Sequence, residues 1–137
     1  MNRVILAKQT DETAQFDRIY ETFHVRIPND VVAFLKQNSR GIPKEKALSG
    51  TKDLFVSCFV SVSERDKANI FSLTKACNES SANSTLVPIA LDGFGGMYCL
   101  RFVDLKQNGI IYLCEDNSDQ VFVCEDFDGF LKKLNLQ

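Results

Sequence analysis

The stretch that comes nearest to a chemical motif is short, acidic and glycine-rich. It reads Asp92-Gly93-Phe94-Gly95-Gly96 and lies between two apolar runs. Glycine-rich loops can cradle phosphate, but a phosphate-binding loop reads G-x-x-x-x-G-K-[ST] and opens a helix, and this stretch does neither. Because glycine tolerates positive φ and tight reversals require it, we interpret the stretch as a joint between two strands.

A second group of reactive side chains is the acidic segment near residue 117. Its carboxylates belong to Glu115, Asp116 and Asp119. They could coordinate a cation, but the calcium-loop pattern D-x-[DN]-x-[DN]-G is not matched because no glycine follows. A carboxylate pair could also perform acid–base chemistry, which spacing alone does not support. We therefore expect no metal site and no catalytic pair. These carboxylates therefore either belong to a binding surface or only solvate a turn.

Nucleophilic catalysis would need an activated cysteine, and the chain has a single histidine, His24, that could act as its base. The cysteines are Cys58, Cys77, Cys99, Cys114 and Cys124. Their odd number and wide spacing argue against a disulfide framework and are typical of buried thiols in a reducing compartment. His24 ends an apolar helical stripe, where a structural role at a helix C-terminus suits it. We expect no catalytic residue and no cofactor.

Composition and charge are those of an ordinary globular protein. The chain has 137 residues, of which 45% are hydrophobic and 25% charged, so we expect one domain over residues 1–137. No apolar run approaches the ~20 residues of a membrane span, and Arg3 and Lys8 interrupt the start too soon for a signal peptide. The net charge of −2 does not suggest nucleic acid or membrane as a partner. We expect a cytoplasmic protein.

The charge is distributed unevenly along the chain. Residues 1–52 carry nine Lys/Arg and six Asp/Glu, a net charge of +3, whereas residues 92–137 carry four and eight, a net charge of −4. A basic partner would find complementary charge in the C-terminal third.

Two amphipathic helices are predicted in the first third of the chain. Capping residues lie between Thr10 and Thr13, and an apolar stripe follows from Phe16 to Phe23. Pro28 suits the first turn of the second helix, and Gly41 is its expected left-handed cap. Residues 40–52, which contain glycine, proline and lysine, predict a surface loop.

The middle of the chain predicts a strand and a third helix. Alternating apolar and polar residues from Asp53 to Ser63 indicate a strand covered on both faces. The sequence Ser63-Glu64-Arg65-Asp66 is similar to a capping box, which predicts that the helix begins there. The polar segment Asn78–Ser84 predicts a loop.

The remainder predicts a meander of strands and a closing helix. The apolar runs of the meander are Leu86–Leu91, Met97–Phe102 and Ile110–Cys114. The Asn108-Gly109 dipeptide is the strongest turn signal between the last two. A strand at Gln120–Cys124 precedes a helix capped by Asp126. The whole pattern predicts an α+β fold, with helices packed on a mostly antiparallel central sheet of about four to six strands.

Several stretches in this order carry a resemblance to a known family. They are Ile27-Pro28, Phe34-Leu35, Asn38 to Gly41, Val87-Pro88-Ile89, Asp92 to Gly96, Met97 to Phe102, Ile110 to Cys114 and Phe127-Asp128-Gly129-Phe130-Leu131. Together they resemble the SUKH superfamily, which includes bacterial immunity proteins and a fungal regulator of cell-wall synthesis. The chain departs from the family by lacking tryptophan and by reading Leu113-Cys114-Glu115-Asp116 where an acidic-His pair is common.

The resemblance implies a cytoplasmic immunity protein that binds one toxin domain, often a nuclease or deaminase, and blocks it by occlusion. It carries over no catalytic residue, because the family has no general catalytic motif. For the partner-binding surface we hypothesise Asp92, Phe94, Glu115, Asp116 and Asp119, since a basic toxin would complement the acidic C-terminal third.

We expect neither nucleic-acid nor membrane binding, and a monomer or weak homodimer. Two alternatives stay open. One is a regulatory or scaffold module that binds a cellular protein, and the other is a hydrolase or a small-ligand-binding enzyme.

Overall fold

The computed structural model describes residues 3–51, 53–79, 84–114 and 119–136. Within them the helices are α1 (Ala14–Phe23), α2 (Asn29–Gln37), α3 (Ile70–Cys77) and α4 (Phe127–Lys133). The strands are β1 (Val4–Ile5), β2 (Ile42–Pro43), β3 (Cys58–Phe59), β4 (Ser84–Leu91), β5 (Met97–Val103), β6 (Lys106–Leu113) and β7 (Gln120–Cys124).

The strands form two antiparallel sheets. β1 pairs with β2, and the five-stranded sheet has the order β3-β4-β5-β6-β7. The predicted α+β class and antiparallel central sheet are therefore confirmed. None of the described helices is long and apolar enough to cross a membrane.

The predicted meander is confirmed as β4, β5 and β6, but one of its turns was misplaced. Asp104 and Leu105 form the β5–β6 reversal, with φ of 52° and 65°, and two positive values are typical of a type I′ hairpin. The expected turn at Asn108-Gly109 lies inside β6 instead. Gly109 has φ of 87° next to an irregularity in the β6–β7 register, so its glycine serves a bulge.

The first two helices form as predicted, whereas the cap of the second was assigned wrongly. His24 ends α1 with φ of 62° and donates its backbone N–H to the Tyr20 carbonyl. After α2, Arg40 has the positive φ of 62°, and Gly41 is not the left-handed residue. Gly41 is required for space, because a Cβ there would collide with the side chain of Val4.

The predicted strand over residues 53–63 is mostly irregular, and only β3 joins the sheet. The segment divides its backbone hydrogen bonds between two neighbours: Val56 donates to the Lys46 carbonyl, while Ser57 donates to the Leu91 carbonyl. Residues 40–52 are accordingly more than a surface loop. They contribute β2 and the buried side chain of Leu48.

The third helix begins later than predicted. Asn69 is its N-cap, and a capping box joins the side chains and backbone of Asn69 and Ser72 at 2.9 and 3.0 Å. Asp66 accepts a hydrogen bond from the Ser61 hydroxyl at 2.5 Å. The Ser63–Asp66 segment is therefore a turn. Of the predicted Asn78–Ser84 loop, residues 80–83 lie outside the described part of the chain.

The C-terminal elements agree with the sequence. β7 covers the predicted residues, and the Asp126 carboxylate caps α4 by accepting the Gly129 N–H at 2.8 Å. Phe127, Phe130 and Leu131 face the core.

Buried apolar side chains form two clusters. The larger contains Ile19, Leu35, Leu100 and Phe130 among others. The smaller contains Leu86, Cys99, Ile111 and Leu113, with Cys77 and Met97 packed against it. All five cysteines are free thiols. Two of them, Cys99 and Cys124, are buried, and the other three are half-buried, so burial is less general than expected.

Candidate functional site

The topology brings Asp92, Phe94 and Asp119, three of the predicted surface residues, to one end of the sheet. β4 ends and β5 begins at the 92–96 joint, and β6 ends and β7 begins at the 114–119 connection. Met97 pairs with Leu113, which pairs with Gln120, so the two connections leave neighbouring strands about 4.8 Å apart. We call this edge the loop end of the sheet.

Asp92 is a buried residue whose side chain stabilises the joint. Only 8% of the residue is exposed. Its Oδ1 accepts the backbone N–H groups of Phe94 and Gly96 at 2.7 and 2.9 Å. Its Oδ2 accepts a hydrogen bond from the Tyr112 hydroxyl of β6. The carboxylate therefore fixes the backbone of the joint and attaches it to the sheet.

The glycines of the joint are used as the sequence predicts. Gly93 and Gly95 have φ of 86° and 97°, a region that side chains other than glycine rarely adopt. A Cβ at Gly96 would collide with the Tyr112 hydroxyl and the Asp92 carboxylate. The glycines thus allow the tight backbone conformation that the Asp92 carboxylate stabilises.

A second tyrosine ties the 53–63 segment to the same place. The Tyr98 hydroxyl donates to the Phe55 carbonyl at 2.8 Å, and its ring lies 5.1 Å from that of Tyr112. Burial, together with nearby Tyr112 and Asp92, raises the pKa of Tyr98 far above its ordinary value. Tyr98 is therefore a neutral donor that positions Phe55.

Two phenylalanines project from this buried network. Phe94 is 80% exposed and Phe55 is 48% exposed. Together with Lys46, Val56 and Ser57 they line an open groove of about 430 Å³. Hydrogen bonds fix the backbone at both phenylalanines. Exposed aromatic side chains on a fixed backbone are well suited to fill a pocket on a partner protein.

The acidic residues are only partly described. Asp119 is exposed, and its carbonyl accepts the Cys114 N–H at 3.2 Å. Glu115 and Asp116 lie outside the described residues. Of the five predicted surface residues, the structure brings Asp92 and Phe94 together in the joint and places Asp119 at the same end of the sheet.

Phe55 is the surface residue that sequence reasoning missed. Phe55 and Phe59 are four residues apart, so a regular strand over Asp53–Ser63 would place both on one face. Phe59 is buried, however, and Phe55 is exposed. The irregular backbone between them breaks the alternation. Its contact with Tyr98 spans 43 residues of sequence, so no local signal could have revealed it.

A separate cleft lies between β3 and the turn before α3. It has a volume of about 480 Å³ and contains Arg40, Cys58 and Asp66. Arg40 forms an ion pair with Asp66 at 3.7 Å. Burial raises the pKa of the Cys58 thiol, and the Arg40 charge lowers it by less. Cys58 is thus a protonated thiol and lacks the activation that a nucleophile needs.

The described residues contain no set of side chains that could bind a metal ion. No group of three or more His, Cys, Asp or Glu side chains that could hold an ion occurs among residues 3–51, 53–79, 84–114 and 119–136.

Comparison with known proteins gives one result. The model of the SMI1 / KNR4 family (SUKH-1) matches residues 12–133, a stretch that contains every element from α1 to α4. Neither the curated proteins nor the solved structures include a significant match. The matched family is generally non-catalytic.

Proposed function

The chain belongs to the SMI1 / KNR4 family (SUKH-1), and from this premise we propose that it is an immunity-type binding protein. It neutralises a cognate toxin domain of the nuclease or deaminase class by forming a stoichiometric complex. It acts in the cytoplasm, uses no cofactor and catalyses no reaction. The proposal treats residues 1–137 as one domain that is a monomer or a weak homodimer.

The observation that carries this proposal is the outward aromatic pair at the loop end of the sheet. Phe94 is 80% exposed, although hydrogen bonds to Asp92 hold its backbone rigidly. A preorganised aromatic residue loses little conformational entropy on binding, and such residues dominate the energetics of many interfaces. Phe94 and Phe55 are the proposed anchors of the complex.

Charge supports a basic partner. Asp119 is exposed at the same end of the sheet as the joint. Glu115 and Asp116 precede it in the sequence, and the net charge over residues 92–137 is −4. Toxins that act on nucleic acids need a positively charged cleft. Carboxylates at the rim of the complex would steer such a cleft toward Phe94 and increase the association rate.

Asp92 has a different role from Phe94 in this proposal. Its carboxylate is buried and already accepts three hydrogen bonds. It therefore contributes to binding by positioning the joint, and not by touching the toxin.

A co-expression experiment tests the proposal. The proposal expects a toxic domain to be encoded next to this gene. That domain is expressed with and without the full chain, and the two proteins are then co-purified. We expect rescue of growth and a complex of one copy of each. Growth arrest without complex formation would contradict the proposal and favour the alternative, a regulatory or scaffold module that binds a cellular protein.

The same experiment tests the surface with two matched variants. Phe94→Ala removes the proposed anchor, and Leu105→Ala removes an apolar side chain that is 60% exposed in the hairpin at the opposite end of the sheet. We expect Phe94→Ala to weaken the complex by about 30-fold or more, as for an interface hot spot, and Leu105→Ala to leave it unchanged. If the two substitutions changed the affinity of the complex equally, the loop end would not be part of the interface.

A further inference from the structure

Two cysteines that are far apart in sequence meet in the smaller core cluster. Cys77 is the last residue of α3 and is half-buried, whereas Cys99 lies in the middle of β5 and is fully buried. The Cys77 side chain packs against the cluster that contains Cys99. The side chains of Cys77 and Cys99 interact, so the two thiols are neighbours in this cluster.

Two hydrogen bonds attach the end of α3 to β4 near the two cysteines. Asn78 follows Cys77, and its side chain donates to the Leu86 carbonyl at 2.8 Å and accepts the Leu86 N–H at 3.0 Å. Leu86 of β4 pairs with Arg101 of β5, which lies two residues from Cys99. Arg101 and Cys99 share a face of the sheet because residues i and i+2 of a strand point to the same side. The hydrogen bonds of Asn78 therefore position Cys77 over the face that carries Cys99.

The two thiols differ in the way that a reactive pair requires. Interaction with the Cys99 side chain lowers the pKa of Cys77 despite its partial burial. Burial, and then the interaction with Cys77, raises the pKa of Cys99 well above its ordinary value. Cys77 is therefore both the more acidic thiol and the one that a small oxidant can reach.

We propose that Cys77 and Cys99 are a peroxide-sensitive dithiol that closes to a reversible intramolecular disulfide. The Cys77 thiolate attacks one oxygen of hydrogen peroxide, the O–O bond breaks, and the released hydroxide takes up a proton to give water and a Cys77 sulfenic acid. The Cys99 sulfur then attacks the sulfenic sulfur, and the S–O bond breaks. The thiol proton leaves with the hydroxide as a second water. Two thiols are oxidised and one peroxide is reduced.

The disulfide would have a structural consequence for the loop end of the sheet. It would link the end of α3 to β5 and enclose residues 78–98, which include β4 and the 92–96 joint. Such a link restricts the unfolded chain and stabilises the folded one. The proposal does not depend on the identity of any partner.

Mass spectrometry of the full chain tests this directly. The reduced protein is treated with hydrogen peroxide, alkylated and digested. Before alkylation, we expect the mass of the intact protein to fall by about 2 Da on oxidation. After digestion we expect a cross-linked Cys77–Cys99 peptide, and dithiothreitol should reverse both changes. We also expect the melting temperature to rise by roughly 5–10 °C on oxidation.

Matched variants separate this pair from general thiol oxidation. Cys77→Ser should abolish the cross-link and the rise in melting temperature. Cys58→Ser, at another half-buried thiol, which lies near Arg40, should retain both. The proposal is overturned if the wild-type protein stays a dithiol, accumulates Cys77 sulfinic acid, or pairs Cys77 with a different cysteine. The wild-type peptide map decides these outcomes even if Cys77→Ser folds poorly.

Discussion

The hydroxyl of Tyr112 donates a hydrogen bond to the carboxylate of Asp92 and thereby joins β6 to the turn between β4 and β5. The same carboxylate accepts two backbone N–H groups of the joint. One buried acidic residue thus determines the conformation from which Phe94 projects. The stability of the joint and the geometry of the proposed anchor depend on the same contact.

Tyr112→Phe should destabilise the protein by about 1–2 kcal/mol, because the substitution removes one of the three donors to a buried carboxylate. Urea denaturation measures the free energy of unfolding. Tyr20→Phe is the control, since Tyr20 is exposed and its ring keeps the stacking contact with Arg26. An equal stability of the two variants would show that the Tyr112 hydroxyl does not support the joint.

Gln15→Leu should stabilise the protein by about 1 kcal/mol or more. Gln15 is buried in α1, and neither polar atom of its side chain has a hydrogen-bond partner among the described residues. A buried amide without partners loses its hydration free energy on folding, and leucine of similar size does not. Thermal and urea unfolding measure the change, with Gln37→Leu on the exposed end of α2 as the control. A less stable Gln15→Leu would indicate a polar partner for this amide.

Stability should fall as the pH rises above 9. Burial raises the pKa of Cys124 from its ordinary 9.0 to about 11. Below pH 9 the thiol is protonated in both states, so its full contribution is present. Between pH 9 and 11 the unfolded chain releases the proton while the folded chain keeps it, which favours unfolding. Buried Cys99 and Tyr98, whose pKa values are also raised, act in the same direction.

Unfolding measured from pH 8 to 10.5 tests this dependence. Cys124→Ala should lose less stability over that range than the wild-type protein, because it lacks one of the titrating groups. A pH dependence of equal steepness in both proteins would contradict the assignment of part of the alkaline loss to Cys124.

Reversal of Glu115, Asp116 and Asp119 to lysine should slow association with a basic toxin domain about tenfold at low salt. The effect should disappear at high salt, since it comes from long-range steering. The control reverses Glu64, Asp104 and Glu125, which gives the same net charge away from the loop end. Stopped-flow mixing measures the association rate of each triple variant. Equal rates for the two variants would exclude steering by the acidic connection.

Elements with strong local signals were predicted correctly from the sequence. The apolar runs of the meander, β7 and the Asp126 cap of α4 agree with the structure. The β5–β6 turn was misplaced because Asp104-Leu105 lacks glycine, whereas Asn108-Gly109 has the favoured turn sequence. Strand register overrode this preference. It pairs Leu100 with Ile110 and buries both, and a turn at residues 108–109 would lose that pairing.

The candidate site could be predicted only in part for a related reason. Phe94 lies in a glycine-rich turn, so its exposure follows from local sequence. The inward orientation of Asp92 depends on Tyr112, which is 20 residues away, and Phe55 depends on Tyr98. The proximity of Cys77 and Cys99 in one cluster also depends on the fold. Contacts between distant residues leave no pattern in one sequence.

The stoichiometry of inhibition tests the central proposal most directly. The full chain is titrated into the toxin domain that the proposal expects next to its gene, while heat release and residual toxin activity are followed together. A non-catalytic immunity protein should reach complete inhibition at about one molar equivalent, where the binding heat also saturates. Complete inhibition by a small fraction of an equivalent would indicate catalytic inactivation, and inhibition without binding heat or complex would likewise contradict the account.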